Sequence, residues 1–239
     1  MRCFQLLVIF SLINFSLCKG QQFYEIPLDR LVYSVDTLFE NDKLVINYIN
    51  KLNKATFSVE FNTDTEVLPN GNCVYKDSSG HTLTGLYKKG QMIGLWIEKD
   101  SLGNLINKVN YDFEQKLIPK TELNYGEFVR DTSNPHSFIS SYEPTFLGKS
   151  NTVFRKFIKE NTFLPPSFRF FYNETEKVFV EFEVYENGEV INSKVVLGGN
   201  RDLNIEALRV LNSSPKWDSF DNNEKLNAVR FAFPVIFEK

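Results

Sequence analysis

The sequence predicts an α+β protein: an N-terminal antiparallel β-meander domain, then a small helix-strand-strand-helix-strand domain with a three-stranded antiparallel sheet. Three observations carry this. Turn residues recur at short intervals between residues 62 and 111, with apolar and aromatic residues between them. Residues 177–185 alternate, with Val178, Val180, Phe182 and Val184 on one face. Leu203, Ala207, Val210 and Leu211 form one helical stripe between two strand-like runs.

The chain has 239 residues, enough for two modest domains. Hydrophobic residues make up 42% and charged residues 24%, which is globular composition and argues against disorder or a membrane bundle. The net charge of -3 gives no basic excess, so no nucleic-acid partner is expected. Arg2 followed by a largely apolar run to Leu17, with Ser16, Cys18 and Gly20 at its end, has the pattern of a secretory signal peptide. The run is shorter than the ~20 residues a spanning helix needs. Export to a periplasm or cell envelope is therefore expected. Lipid attachment at Cys18 ranks second, because Leu17 is bulky where such sites favour a small residue. The expected organisation is a signal peptide at 1–20, a β-rich domain at 21–130, a linker at 131–150 and a C-terminal domain at 151–239.

Within the meander the turn signals are Asn70-Gly71, Ser79-Gly80, Lys89-Gly90 and Leu102-Gly103-Asn104. Gly85-Leu86-Tyr87 recurs as Gly94-Leu95-Trp96. Each triplet sets an aromatic two residues after a glycine, so both lie on one strand face, and the glycine leaves room for a ring from the next strand. The run from Thr84 to Trp96 resembles MORN-type repeats of bacterial antitoxin-like β-meander proteins, with weaker echoes at residues 71–75 and 103–111. That resemblance implies a repeat surface for a partner; an ordinary sheet core is the competing reading. Residues 44–52 fit two readings. Leu44, Val45, Tyr48, Ile49 and Leu52 have helical spacing, yet the stretch also suits strands of the meander. Residues 112–149 lack clear periodicity and hold a loop signal at residues 131–136.

In the last third, Val153, Phe154, Phe157 and Ile158 have helical spacing, and Pro165-Pro166 is expected to end that helix. The alternating strand at 177–185 leads into a hairpin turn at Glu186-Asn187-Gly188-Glu189 and a returning strand at 190–197. Gly198-Gly199-Asn200 breaks that strand, and a helix follows at 203–211, stopped by Ser214-Pro215. Val229, Phe231, Phe233, Val235 and Phe237 then alternate to the chain end.

These stretches together resemble the TonB C-terminal domain. The matching residues are Leu164-Pro165, the run Lys177-Val178-Phe179-Val180-Glu181-Phe182-Glu183-Val184, Asn187-Gly188-Glu189-Val190, Glu206-Ala207-Leu208-Arg209, Ser214-Pro215-Lys216-Trp217 and Phe233-Pro234-Val235-Ile236-Phe237. They fall in the family's order over residues 151–239. The resemblance implies a binding module whose last strand pairs with an extended segment of a protein partner, an outer-membrane receptor in that family. Hydrogen bonding alone points to the same strand: Pro234 suits an edge, and an exposed edge is either covered or used. The expected binding edge is Val229, Arg230, Phe231, Ala232 and Phe233. The competing reading covers that edge with residues 138–146 of the same chain. The family's energy-transducing members keep a membrane anchor and a Pro-rich spacer. A cleavable signal and nine scattered prolines argue that this chain does not itself energise transport.

No catalytic residue, cofactor or metal is expected. His81 lies four residues from Asp77 and eight from Cys73, a spacing that matches no standard metal site. His136 falls in the loop signal. Cys73 is the one cysteine beyond the signal, and reads as a small buried side chain. Glu181 and Glu183 could mimic paired carboxylates, but a solvated sheet face explains them equally. Trp96 and Trp217 read as core residues. The alternative to a binding module is a structural envelope scaffold built on the meander.

Overall fold

The computed structural model describes residues 33–40, 43–62, 68–123, 128–130, 138–140, 146–147, 151–172, 174–218 and 227–239. The signal peptide assigned to 1–20 and His136 lie outside the described residues, as does most of the linker assigned to 131–150.

The protein is α+β. Seven strands form one antiparallel meander in sequence order: β1 (Tyr33–Glu40), β2 (Lys43–Asn50), β3 (Thr56–Asn62), β4 (Pro69–Lys76), β5 (Thr82–Lys88), β6 (Gln91–Lys99) and β7 (Leu105–Asn110). A short pair, β8 (Phe128–Arg130) with β9 (Phe138–Ser140), follows. Then come helices α1 (Asn151–Asn161) and α2 (Pro166–Phe171), strands β10 (Glu176–Tyr185) and β11 (Val190–Leu197), helix α3 (Arg201–Asn212) and strand β12 (Ala228–Phe237). The last three strands make an antiparallel sheet in the order β11-β10-β12.

The structure decides the ambiguous stretch at 44–52. Residues 43–50 are strand β2, paired with β1 on one side and β3 on the other. Ile46, Tyr48 and Asn50 point inward, which is period two, and Leu52 lies in the following turn, 80% exposed. Asn70-Gly71 is not a turn, contrary to its dipeptide signal. It lies inside β4 beside an irregularity in the β3–β4 register, where the Glu60 carboxylate accepts from the backbone and side chain of Asn72. The other turn signals sit in turns. Lys89 and Gly90 both take positive φ (51° and 72°), which makes the β5–β6 connection a type I′ hairpin. The Asn187-Gly188 turn is built differently. Only Gly188 is left-handed (φ 80°), and Tyr185 N–H donates to the Glu189 carbonyl around a three-residue loop. A side chain at Gly188 would run into the Trp217 carbonyl at 2.0 Å, so this glycine also lets the turn dock under the chain at Trp217.

Pro165-Pro166 does not end the first helix. That helix stops at Asn161, and Pro166 opens α2 at its first position, where the missing N–H has no partner to lose. The extra helix matters. Phe170 and Phe171 at its end are buried among Tyr33, Tyr48, Phe57 and Tyr75 of the meander, with ring centroids 4.7–6.4 Å apart. One hydrophobic cluster thus contains side chains of the meander together with Phe163, Phe170 and Phe171. Each buried phenylalanine contributes about 1.5–3 kcal/mol. A second cluster fills the space between α1, α3 and one face of the three-stranded sheet, around Phe154, Phe182, Val210, Trp217 and Phe237.

Helix α3 belongs to both. Leu203, Ala207, Val210 and Leu211 face the three-stranded sheet, as the stripe predicts. Its other flank meets the meander through polar contacts. Arg201 donates to the Lys89 carbonyl at the β5–β6 turn (2.8 Å), and the Tyr87 hydroxyl donates to Asp202 (2.6 Å). One turn further on, the Tyr111 hydroxyl donates to Glu206 (2.7 Å).

Candidate functional site

The residues predicted as a binding edge lie on β12, and the sheet order does put that strand at an edge. Its ladder with β10 is regular from Glu176↔Phe237 to Tyr185↔Ala228, and Pro234 sits opposite Phe179. The five residues divide between two faces. Val229, Phe231 and Phe233 stand opposite Val184, Phe182 and Val180 and point to the helices. Phe231 stacks on Phe182 (5.4 Å) and lies 5.1 Å from Trp217; Phe233 meets Phe154 edge-on at 4.9 Å. These rings are anchored in the core, so what they present to a neighbouring strand is backbone. Arg230 and Ala232 point to the other face, opposite Glu183 and Glu181. Strand β9 comes within 8 Å of β12 between Cα atoms, but its ladder partner is β8.

The face bearing Arg230 is not the simple solvated surface that the alternation suggests. Glu183 is buried. It accepts from Arg230 (3.1 and 3.3 Å) and from the Asn192 side-chain amide (2.6 Å). Glu181 pairs with Lys194 at 2.8 Å and lies 3.6 Å from Arg230. Each carboxylate therefore has a cationic partner, which is an ion-pair network rather than a proton-sharing dyad. A cleft of about 360 Å³ opens over them, lined by Glu181, Glu183, Asn192, Lys194, Ile118 and Lys120 among others. One wall is the extended segment after β7. Nothing in the composition of residues 112–123 signals this role; the Asn192 side chain and N–H of β11 hold its backbone.

That segment is also clasped by charge. Glu189 pairs with Lys116 (2.6 Å) and Lys216 (3.2 Å). These two ammonium groups, Lys116 first, hold its carboxyl down at about 2. An ordinary glutamate in the unfolded chain titrates near 4.5. The folded value is the lower one, so this contribution to stability is complete above pH ~4.5 and disappears as pH falls toward ~2. We expect a carboxyl-carbon NMR titration to show Glu189 still ionised at pH 3. Glu189→Gln removes the part of the acid destabilisation that falls in that window, measured by urea unfolding at pH 3 and pH 6.

The remaining candidate residues do not converge. Cys73 is buried on the inner face of β4, and burial, reinforced by the nearby Asp202 charge, pushes its thiol well up, away from the reactive thiolate. His81 lies 3.5 Å from Asp77 at the β4–β5 turn. Among the described residues no group of three His, Cys, Asp or Glu side chains could hold a metal ion. Trp96 and Trp217 are both buried in the hydrophobic clusters. Sequence reasoning missed the acidic flank of α3. Glu206 is fully buried, accepting from Tyr111, from the Phe163 N–H (2.7 Å) and from Arg209 through two nitrogens (2.7 Å each). Burial pushes the Glu206 carboxyl up, and the Arg209 guanidinium opposes that shift. The available signal was the Glu206–Arg209 spacing of three, which puts both on one side of a helix.

Comparison of the chain with protein-family models, with curated proteins and with solved structures finds no match. Among the described residues no helix is long and apolar enough to cross a membrane.

Proposed function

We propose that the protein is an exported, non-enzymatic binding or adaptor protein that takes an extended segment of a protein partner by strand addition along the outer edge of β12. The observation that carries this reading is β12 itself: a ten-residue strand that, among the described residues, pairs with β10 alone. In strand addition the main chain supplies affinity and alternate side chains supply selectivity. The aromatic anchoring of Phe231 and Phe233 favours it, because a strand fixed from one face presents its edge without first having to be ordered. The resemblance to the TonB C-terminal domain supports the same edge and a link to receptor-mediated transport, and the apolar run after Arg2 supports export to the periplasm.

Side-chain direction gives the test. Single cysteines at residues 229–233 are cross-linked in cells with a short thiol-to-thiol or thiol-to-amine reagent. Strand addition predicts capture at Arg230 and Ala232, whose side chains leave the helix-side core, and none at Val229, Phe231 and Phe233. Capture at none of the five, or equally at all, removes the reading. β9 is the nearby competitor for the edge; an intramolecular link from Ala232→Cys to a cysteine at Ile139 would show that the chain covers its own strand.

A second reading has its own observation. The outer face of the meander carries exposed Val74, Leu86, Leu95 and Ile106, the composition of a surface that packs against something. On that reading the meander is an envelope scaffold. Deleting residues 151–239 would leave its partners attached, whereas strand addition predicts their loss.

A further inference from the structure

We propose that the polar face of the three-stranded sheet is a second peptide-binding groove, and that residues 115–118 of the chain itself are the occupant it holds in this structure. The ligand class is an extended segment with a basic residue two positions before an aliphatic one. The groove lies over the face of the sheet along β11 and reaches Ala228 at the start of β12, whereas strand addition would use the outer backbone edge of β12.

The grip on these residues is that of a receptor on a peptide. The Asn192 side chain accepts from the Ile118 N–H (2.9 Å) and donates to the Ile118 carbonyl (3.0 Å). This matches the two main-chain bonds that a neighbouring strand would make to one residue. The Asn192 N–H donates to the Lys116 carbonyl (2.8 Å), and Gln115 donates to the Ser193 carbonyl (3.2 Å). Recognition therefore combines backbone bonds at Lys116 and Ile118, as in strand addition, with three side-chain contacts, the first being the Gln115 amide on Ser193. Lys116 meets Glu189, and Ile118 packs toward Ile191, Leu123 and Ala228. Leu117 between them is 72% exposed and touches little.

Asn192 is shaped for the task. It stands in a left-handed conformation (φ 51°) near the start of β11, where the register with β10 shifts between Glu181 and Glu183. A bulge of this kind re-aims a side chain out of the ladder, and a non-glycine residue at positive φ is strain retained where the surroundings require it. Glu183 then fixes the amide, since its carboxylate accepts from the Asn192 Nδ2 that also serves Ile118. The chain's own segment leaves the 360 Å³ cleft beside it open, with Glu181, Lys194 and Lys120 on its walls. A longer ligand therefore has further polar contacts to gain. The tether gives the resident segment an effective concentration on the order of millimolar, so an outside peptide must compete with it.

The test uses the full chain and a fluorescent peptide of residues 112–123. Lys116→Glu with Ile118→Ala weakens the tethered copy and leaves the groove intact. The expected result is saturable binding to this variant, at least about tenfold weaker binding to the unaltered chain, and loss of binding by about tenfold or more when Asn192→Gly is added. Glycine keeps the positive φ, so that change removes only the amide. No binding to the opened variant, binding insensitive to Asn192→Gly, or equal binding of a scrambled peptide overturns the proposal. If the opened variant does not fold, the unaltered chain decides. Millimolar peptide must accelerate hydrogen exchange at the Ile118 amide, and an unchanged rate overturns the proposal.

Discussion

Glu206→Ala is expected to lower the unfolding free energy by about 3–5 kcal/mol, the range for breaking a buried ion pair from one side. The alanine strips partners from three groups at once. Arg209, whose side chain is 11% exposed, loses its carboxylate; the Tyr111 hydroxyl and the Phe163 N–H lose their acceptor. Removing both charges is a different experiment. Glu206→Leu with Arg209→Met leaves no uncompensated ion, and a well-packed apolar replacement of a buried pair is often neutral. The double variant should therefore recover the part of the loss that comes from the unpaired Arg209, while the Tyr111 hydroxyl and the Phe163 N–H, left without an acceptor, keep a cost of about 1–3 kcal/mol each in urea unfolding. Equal losses for the single and double variants would show that the interface depends on these charges rather than on their mutual compensation.

The second large effect is steric. Gly85→Ala places a Cβ 2.1 Å from Cδ2 of Trp96, a ring that is fully buried between Tyr87 (5.3 Å) and Tyr111 (6.2 Å). A rigid indole enclosed by other rings has nowhere to move, and overpacking of this kind costs about 1–3 kcal/mol. Gly85→Val is worse. Trp96→Ala alone creates a cavity and costs about 3–5 kcal/mol. The two changes are coupled, because Trp96→Ala removes the atoms that the new methyl meets. In a double-mutant cycle the Gly85→Ala penalty should fall by at least about 1 kcal/mol in the Trp96→Ala background. An unchanged penalty would mean that backbone conformation, not the ring, makes glycine necessary there.

Much of the fold is legible in the residues because it is local. Gly85 with Tyr87, and Gly94 with Trp96, announce an aromatic row on one sheet face; Tyr87 and Trp96 are buried there and Gly85 faces the Trp96 ring, whereas Gly94 sits at a register shift with positive φ and meets Asp112. Lys89-Gly90 announces its turn by being able to adopt two positive φ angles. Where a local signal fails, a distant contact has overruled it. Asn70-Gly71 is the stronger hairpin dipeptide, yet it lies within β4, where the Glu60 side chain of the preceding strand takes the Asn72 N–H. Residues 44–52 carry helical spacing as well as strand residues; pairing on both sides settles them, and pairing is not written in the segment itself. The candidate sites follow the same rule. β12 is legible as an edge because Pro234 and its alternation are in its own residues. The burial of Glu183, the clasp by Asn192 and the acidic flank of α3 each depend on a segment at least nine residues away, and for α3 on partners 35 to 115 residues away.

The position of α2 has a consequence for how the chain is made. The meander is built from neighbouring hairpins, so its pairings need little of the chain to be present. The cover for its aromatic face is Phe170 and Phe171, encoded about a hundred residues after Tyr75. At ordinary rates of synthesis that is roughly 5–20 s of delay. During it Tyr48, Phe57 and Tyr75 have no lid, and the newborn sheet offers a greasy surface to whatever is nearby. The order of the segments along the polypeptide therefore separates the pairing of the meander strands from the covering of their aromatic face, which waits for a six-residue helix.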